Sequence, residues 1–348
     1  MKIYLVVKDL VKNTNYFAPE LASALRMSGN DVYIGQDLLW RDEVFTMDIV
    51  YIQWPEYIFK QSVKKENCDQ LDKRFKELHN QGVRIVSQCH NLKPHNPNNP
   101  NEINLYDVVY KNVDAIVHMG EYSKLLLQKE YPNVRHFVVP HHIYETYFSF
   151  NKSKKECLEK LNIDSDNTNI LCFGKFRNKE ERNLIIRVKR QLSNTNIKFI
   201  VPGFYRERIL QKNILVSIKT LVMSVYYRLL GFKFSNSMIN DDTMELYFKA
   251  ADIVMIQRPN ILNSGNLPMA FAAGKVVVGP NVGNVGCILK ETGNPVFDPD
   301  SIDSVISAIK EGIRLNELGK GVDNLNYSKE HWSLKVVGLQ LTNVLSSL

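Results

Sequence analysis

Short apolar runs alternate with amphipathic segments along the chain, and this alternation constrains the fold more than any other feature. A short apolar run predicts a buried strand, whereas apolar residues at every third or fourth position predict a helix with one buried face. Strands that are separated by helices join as parallel βαβ units. The predicted strands are 3–7, 32–34, 48–53, 84–88, 115–119, 137–139, 170–173, 197–201, 253–256 and 276–278.

The alternation is interrupted by a polar stretch at 151–167. A chain of 348 residues is also too long for one typical core. We therefore predict two Rossmann-like, doubly wound domains at 1–150 and 151–327. A C-terminal helix at 328–348 is expected to cross back to the first domain. The two domains would face a central cleft, with ligands at the carboxyl ends of the strands. No internal repeat stands out.

Composition indicates a soluble globular protein in a reducing compartment, which makes the cytoplasm the expected location. The five cysteines are scattered without a CxxC pair, which argues against a disulfide framework. The apolar start of the chain is cut short by Asp9 and Lys12, so it predicts a first strand and no signal peptide. The net charge of +7 lacks the concentrated basic, aromatic-rich face of a nucleic-acid binder, and nucleic acid is not an expected partner.

Residues 208–234 break the rhythm, because this segment is long, apolar and basic. Lys219 and Arg228 interrupt it, so a transmembrane span is not expected. Two alternatives remain open. The segment is an amphipathic helix that makes a peripheral membrane contact, or it is a helical insertion packed on its own domain.

The loop at 88–96 follows a predicted strand, which places His90 at the carboxyl end of that strand. A histidine there can act as acid or base or orient a substrate hydroxyl, although an isolated histidine is more often structural. A metal site would need His90, His95, His141 and His142 to converge. No HExxH or equivalent spacing supports that site, so no metal is expected.

Two further stretches follow predicted strands of the second domain. At 174–179, a glycine and three cations can hold a diphosphate, and the alternative is a solvated basic turn. At 260–268, Asn263 or Ser264 can cap a helix whose N-terminus would attract an anion, and the alternative is an ordinary capped helix. Pro268 is tolerated in the first turn of that helix.

Five segments in order resemble the retaining glycosyltransferases of family 4, and in particular a bacterial branch that builds capsule, exopolysaccharide or O-antigen chains. They are DIVYIQWPE at 48–56, HNLKPH at 90–95, VPHHIY at 139–144, FGKFR at 173–177, and NSG at 263–265 with AFAAG at 270–274. Each motif alone is weak to moderate, whereas their order over nearly the whole chain is specific.

The resemblance implies the GT-B fold and a hexosyltransferase that moves a sugar from a nucleotide-diphosphate donor to a lipid-linked oligosaccharide, with retention and without a metal or other cofactor. His90 would be catalytic. The implied donor-binding residues are Gly174, Lys175, Arg177, Lys179, Asn263, Ser264, Gly265, Asn266 and Leu267. The implied acceptor-binding residues are Asn15, Trp54, Glu56, Asn91, Lys93 and His95.

The sequence departs from the family pattern at three places. The slots of its two glutamates fall near Ile261 and Met269, so Asn263 is the candidate for their contacts. Glu180 replaces the usual lysine, and no Gly-Gly turn follows the first strand. The missing glutamates keep one alternative open, an inactive nucleotide-sugar-binding module. A second alternative is a different enzyme on the same fold, such as a sugar-nucleotide epimerase.

Overall fold

The computed structural model describes residues 1–8, 16–94, 98–193, 195–204, 214–234 and 239–348, with the backbone alone at 214–217, 219 and 220. The chain divides into two compact units. Unit 1 contains Met1–Thr146 and Glu330–Leu348, and unit 2 contains Tyr147–Lys329. Each unit holds one six-stranded parallel sheet with helices between its strands, which confirms the predicted α/β class.

The sheet of unit 1 has the strand order β2-β1-β3-β4-β5-β6. Its strands are β1 (Lys2–Val6), β2 (Asp31–Gly35), β3 (Ile49–Ile52), β4 (Arg84–Cys89), β5 (Ala115–His118) and β6 (Arg135–Val138). The helices between them are α1 (Phe17–Met27), α2 (Lys65–Asn80), α3 (Pro100–Asn112) and α4 (Glu121–Glu130). Every residue of β3 is buried, as expected for a parallel strand covered on both faces.

The sheet of unit 2 has the strand order β12-β11-β10-β7-β8-β9. Its strands are β7 (Thr168–Leu171), β8 (Ile197–Ile200), β9 (Phe232–Lys233), β10 (Ile253–Met255), β11 (Val276–Pro280) and β12 (Val296–Phe297). Its helices are α5 (Lys154–Leu161), α6 (Lys179–Gln191), α7 (Ile214–Leu229), α8 (Asp241–Ala250), α9 (Asn266–Ala272), α10 (Gly283–Glu291) and α11 (Ile302–Glu317). The sequence did not predict β9 and β12, because two residues are too few to show a periodicity.

The C-terminal region returns to unit 1, as predicted, but it consists of two helices where one was expected. They are α12 (Lys320–Trp332) and α13 (Leu334–Ser346), separated by the extended backbone of Ser333. Glu145 holds this break by accepting the N–H of Leu334 at 3.0 Å. Helix α13 packs on α1 so closely that a Cβ at Gly338 would lie 2.1 Å from the carbonyl oxygen of Ala24.

A short sequence repeat occurs once in each sheet, so the expectation that the sequence contains no repeat is wrong. Residues 48–56 (DIVYIQWPE) and 252–260 (DIVMIQRPN) are identical at six of nine positions. Asp48 accepts the N–H of Lys2 at 2.7 Å and donates its own N–H to the carbonyl of Lys2 at 2.9 Å. Asp252 makes the same two bonds with Asn169, both at 2.8 Å. Each segment therefore enters its sheet beside the first strand of that sheet.

Among the described residues, no helix combines the length and the apolar character that are needed to cross a membrane.

Candidate functional site

The carboxyl edge of the unit 2 sheet contains a topological switch point, where neighbouring strands connect to opposite sides of the sheet. Strands β7 and β10 lie side by side, but the chain continues from β7 to β8 on one side and from β10 to β11 on the other. Ligands of open parallel sheets bind at such switch points. The segments that leave β7 and β10 here are 172–178 and 256–265, and they include most of the stretches 174–179 and 260–268 that the sequence singled out.

The first of these segments makes a tight turn over the edge of the sheet. Gly174 has a φ of +98°, which favours glycine, and a Cβ at Gly203 would lie 2.1 Å from the carbonyl oxygen of Gly174. Phe176 is buried and packs edge-on against Phe204, with ring centroids 5.1 Å apart. Lys175 and Arg177, on either side of Phe176, are exposed. The loop therefore exposes two cations while the buried Phe176 fixes its position.

Arg258 adds a third cation that the sequence analysis missed. Its Nη2 donates to the carbonyl of Lys175 at 3.3 Å, and its Nε lies 3.9 Å from the buried carboxylate of Glu181. Glu181 also accepts the backbone N–H of Arg177 at 3.0 Å. One carboxylate therefore contacts the backbone of Arg177 and the side chain of Arg258. Burial and the neighbouring Arg177 lower the pKa of Arg258, but an arginine still remains charged. The sequence repeat could have identified Arg258, because Arg258 occupies the same position between Gln and Pro in 252–260 as Trp54 does in 48–56.

Asn266 connects the 260–268 stretch to the same loop, since its Nδ2 donates to the carbonyl of Phe173 at 2.9 Å. A Cβ built at Gly174 would lie 3.9 Å from Nη2 of Arg258 and 4.0 Å from Nδ2 of Asn266. The bare Cα of Gly174 is therefore flanked by two hydrogen-bond donors from a different segment. Charged and amide donors around a glycine turn form a suitable environment for phosphate oxygens.

The predicted cap of α9 is wrong. The N-cap residue is Gly265, without a side-chain cap bond, because Asn263 instead accepts a hydrogen bond from Asn284 at 2.8 Å. Leu267 is buried, and its N–H donates to the carbonyl of Ser264 at 3.1 Å. The structure therefore joins Asn266 to the Gly174 loop, whereas Asn263 is tied to α10. Lys179 lies exposed at the start of α6.

A cavity of about 500 Å³ opens beside this edge. Its lining comes from α6 and from the loops that follow β10 and β12, and includes Glu180, Asn183, Arg187, Asn260 and Asp300. Gln257 lies next to Arg258 and is 1% exposed, and its Nε2 has no hydrogen-bond partner among the described residues. An unpaired buried amide is unusual and is often explained by a ligand or an unseen water.

In unit 1, the carboxyl edge of the sheet carries a cluster of rings around Phe17. His90 stacks on Trp54, with centroids 3.8 Å apart and planes 13° apart, and meets Phe17 edge-on at 4.6 Å. Nε2 of His90 lies 3.3 Å from Oε1 of Gln53, which suits an imidazole that donates from Nε2. The imidazole therefore has a fixed plane, as expected for a group that orients a substrate.

The other predicted acceptor residues are held by α3 or lie apart. Glu56 accepts the hydroxyl of Tyr106 at 2.6 Å, and the carbonyl of Asn91 accepts the hydroxyl of Tyr110 at 3.2 Å. Lys93 is exposed. The predicted contacts of Asn15 and His95 lie outside the described residues.

His141 and His142 belong to the same ring cluster, and their centroids lie 4.9 and 4.7 Å from that of Phe17. Burial lowers the pKa of His141 to about 4 and, together with His141, that of His142 to about 3. Nε2 of His142 lies 3.1 Å from the carbonyl oxygen of Phe17. Both rings are therefore neutral packing elements near pH 7. In the described part of the chain, no three or more His, Cys, Asp or Glu side chains are grouped to hold a metal ion.

Comparison with solved structures identifies the fold. Sucrose-phosphate synthase from Thermosynechococcus elongatus superposes with a TM-score of 0.73 at 12% identity, over 99% of this chain and 98% of that one. The Anabaena protein HepE, solved with UDP and glucose, gives a TM-score of 0.69 at 11% identity over 100% of both chains. The trehalose 6-phosphate synthase of Burkholderia multivorans gives 0.65 at 9% identity, over 99% and 96%.

No protein-family model matches this sequence, and no curated protein does so either. The similarity therefore lies in the three-dimensional arrangement, and the chain has the GT-B fold that these glycosyltransferase structures share.

Proposed function

We propose that the chain is a glycosyltransferase that moves a sugar from a nucleoside diphosphate sugar to a glycan acceptor. The observation that carries this proposal is the cradle at the switch point of unit 2, where Gly174 is flanked by Arg258 and Asn266 and followed by Arg177. HepE, which has the same fold, is solved with UDP and with UDP-glucose. Such a cradle suits a diphosphate better than a neutral ligand.

In the proposed reaction, the cations of unit 2 bind the diphosphate and stabilise the negative charge that grows on it as the bond to the sugar breaks. Lys175, Arg177 and Arg258 supply this charge, and Glu181 fixes the backbone of Arg177 and lies beside the guanidinium of Arg258. Preorganised charges of this kind are usually the largest catalytic contribution. The cavity beside the loop has room for the nucleoside.

On the acceptor side, we assign substrate orientation to His90. Trp54 is only 7% exposed, so its role is to hold the imidazole of His90 by stacking and not to contact the acceptor itself. A fixed imidazole can hydrogen-bond a sugar hydroxyl. The motif resemblance supports a retaining transfer and a lipid-linked oligosaccharide acceptor in surface-polysaccharide synthesis, and we include both in the proposal.

Calorimetric titration with UDP, GDP, ADP, CMP and dTDP tests the donor site, and the matching sugar nucleotides test turnover. We expect one diphosphate to bind and its sugar nucleotide to be hydrolysed slowly without an acceptor, with retention of anomeric configuration by NMR. Binding without any turnover would favour the inactive binding module. A changed sugar still attached to the nucleotide would indicate an epimerase. Failure of every diphosphate to bind would exclude the proposal.

A further inference from the structure

The positive charge of the chain is concentrated in one segment of unit 2. Residues 182–240 contain eleven Lys and Arg residues and a single acidic residue, Glu207, so this segment carries +10 while the whole chain carries +7. The rest of the chain is therefore net negative, at −3. A local excess of this size attracts anionic surfaces, and salt weakens the attraction.

Helix α7 lies within this basic segment, and its outward face is apolar. Six large apolar side chains on it are between 38% and 83% exposed, and we call them the α7 stripe: Ile218, Leu221, Val222, Val225, Tyr226 and Leu229. Their spacing of three and four residues places most of them on one face of the helix. No other described helix exposes as many large apolar side chains, so the stripe is more than scattered surface residues.

The opposite face of α7 packs on its own unit, which fixes the direction of the stripe. The ring of Tyr227 meets that of Phe204 edge-on at 5.0 Å, Ser224 is buried, and Leu230 packs against the core of unit 2. Of the two alternatives that the sequence left open, packing therefore accounts for one face of the helix and leaves the side chains of the stripe between 38% and 83% exposed.

Two arginines lie beside the stripe, and they indicate that its partner is both anionic and apolar. Nη2 of Arg190 on α6 donates to the hydroxyl of Tyr226 at 2.8 Å, and the guanidinium of Arg228 lies 5.1 Å from the ring centroid of Phe234. A groove of about 430 Å³ between α6 and α7 is lined by Arg187 and Arg190. Apolar side chains beside fixed guanidinium groups match a bilayer, in which acyl chains lie below a layer of phosphates.

We propose that α7 docks unit 2 on an anionic lipid bilayer, with the α7 stripe in the acyl boundary and Arg190 and Arg228 on lipid phosphates. Since α7 has 16 residues and no described helix can cross a membrane, the helix lies in the plane of the surface. A nucleic acid would use the charge of this segment but would leave the stripe in water, so the bilayer is the better match.

Co-sedimentation with phosphatidylcholine vesicles, with and without phosphatidylglycerol, tests this docking. Leu221→Asn with Leu229→Asn should lower the partition coefficient more than tenfold, because two apolar side chains no longer leave water. Arg190→Gln with Arg228→Gln should lower it by about fivefold per cation on anionic vesicles only. The matched controls are Leu318→Asn with Val322→Asn and Lys290→Gln with Lys310→Gln. These residues of unit 2 are also exposed but do not belong to α6 or α7, so their replacement should change nothing.

A fluorescent label locates the contact directly. Cys287 is the exposed cysteine and the other four are buried, so Val222→Cys in a Cys287→Ser background can be labelled at one site. Its emission should shift to the blue with anionic vesicles, whereas the same label on Leu318→Cys should not respond. Equal binding to neutral and anionic vesicles, wild-type binding by the stripe variants, or binding to duplex DNA without binding to vesicles would each overturn the proposal.

Discussion

Trp54 and Arg258 occupy equivalent positions in the two sheets, each six residues after the aspartate that ties its segment to the first strand. Each also stands between a buried glutamine and a proline. In unit 1 this position provides the ring that stacks on His90, and in unit 2 it provides a guanidinium that bonds to the Gly174 loop. One backbone arrangement thus supports a buried aromatic ring in one sheet and, in our proposal, a phosphate-binding cation in the other.

Replacing Arg258 should weaken nucleoside diphosphate binding. A charge-assisted hydrogen bond contributes about 1.5–3 kcal/mol, so Arg258→Gln should raise the Kd roughly ten- to hundredfold. Calorimetric titration measures this change. Arg314→Gln is the matched control, because Arg314 is exposed on α11 and paired with Glu311. An unchanged Kd for Arg258→Gln would remove this residue from the donor site.

Gly203→Ala should displace the Gly174 loop, since the added Cβ would lie 2.1 Å from the carbonyl oxygen of Gly174 and 3.2 Å from the N–H nitrogen of Lys175. Backbone atoms cannot yield as a flexible side chain does. We expect at least a tenfold loss of diphosphate affinity, measured by the same titration. Gly35→Ala is the control, because its Cβ would meet only the ring and hydroxyl of Tyr4, the nearest atom at 3.6 Å. If the two variants bind alike, the loop position does not govern affinity.

His90→Ala should reduce turnover more than donor affinity, because His90 belongs to unit 1, whereas the cations proposed to bind the diphosphate belong to unit 2. Loss of an orienting or proton-transferring side chain costs roughly 10²–10⁴ in kcat. Steady-state kinetics with a measured diphosphate Kd separates the two effects. Wild-type turnover in this variant would make His90 a packing residue.

Gly338→Ala should destabilise unit 1, since its Cβ would lie 2.1 Å from the backbone oxygen of Ala24 and 2.7 Å from Oγ of Ser28. Forcing α13 away from α1 should lower the free energy of unfolding by about 1–3 kcal/mol. Leu339→Ala on the exposed side of the same helix should change it by less than about 0.5 kcal/mol. Denaturant titrations compare the two, and similar values would contradict the close contact.

The stability of unit 1 should fall as the pH is lowered from about 6.5. Burial lowers the pKa of both His118 and His142 from 6.5 to about 3, and both side chains are 0% exposed. Between these values the unfolded chain binds more protons than the folded one, so each histidine contributes a loss of roughly 1.4 kcal/mol per pH unit. The contribution is fully present above 6.5. Denaturant titration at several pH values measures the slope, and equal stability across this range would show that these rings protonate in the folded state.

The sequence by itself determined the parallel α/β architecture and the positions of the main strands. Apolar runs such as 49–52 are long enough to be recognised, and a parallel strand buried on both faces must be apolar throughout. It also placed His90 and the 174–177 loop at strand ends, because a polar stretch directly after a buried strand leaves the sheet at its carboxyl edge.

Only the tertiary structure decided which strand ends meet. Arg258 contacts Lys175 across 83 positions, and Asn266 reaches Phe173 across 93. The pairing of β7 with β10 brings these segments together, and no local periodicity encodes that pairing. Asn263 could have capped α9 by its type alone, but Asn284 takes its side-chain oxygen. The local hydrophobic pattern determines which residues are buried. Long-range packing determines which residues contact one another, and the candidate site is made of such contacts.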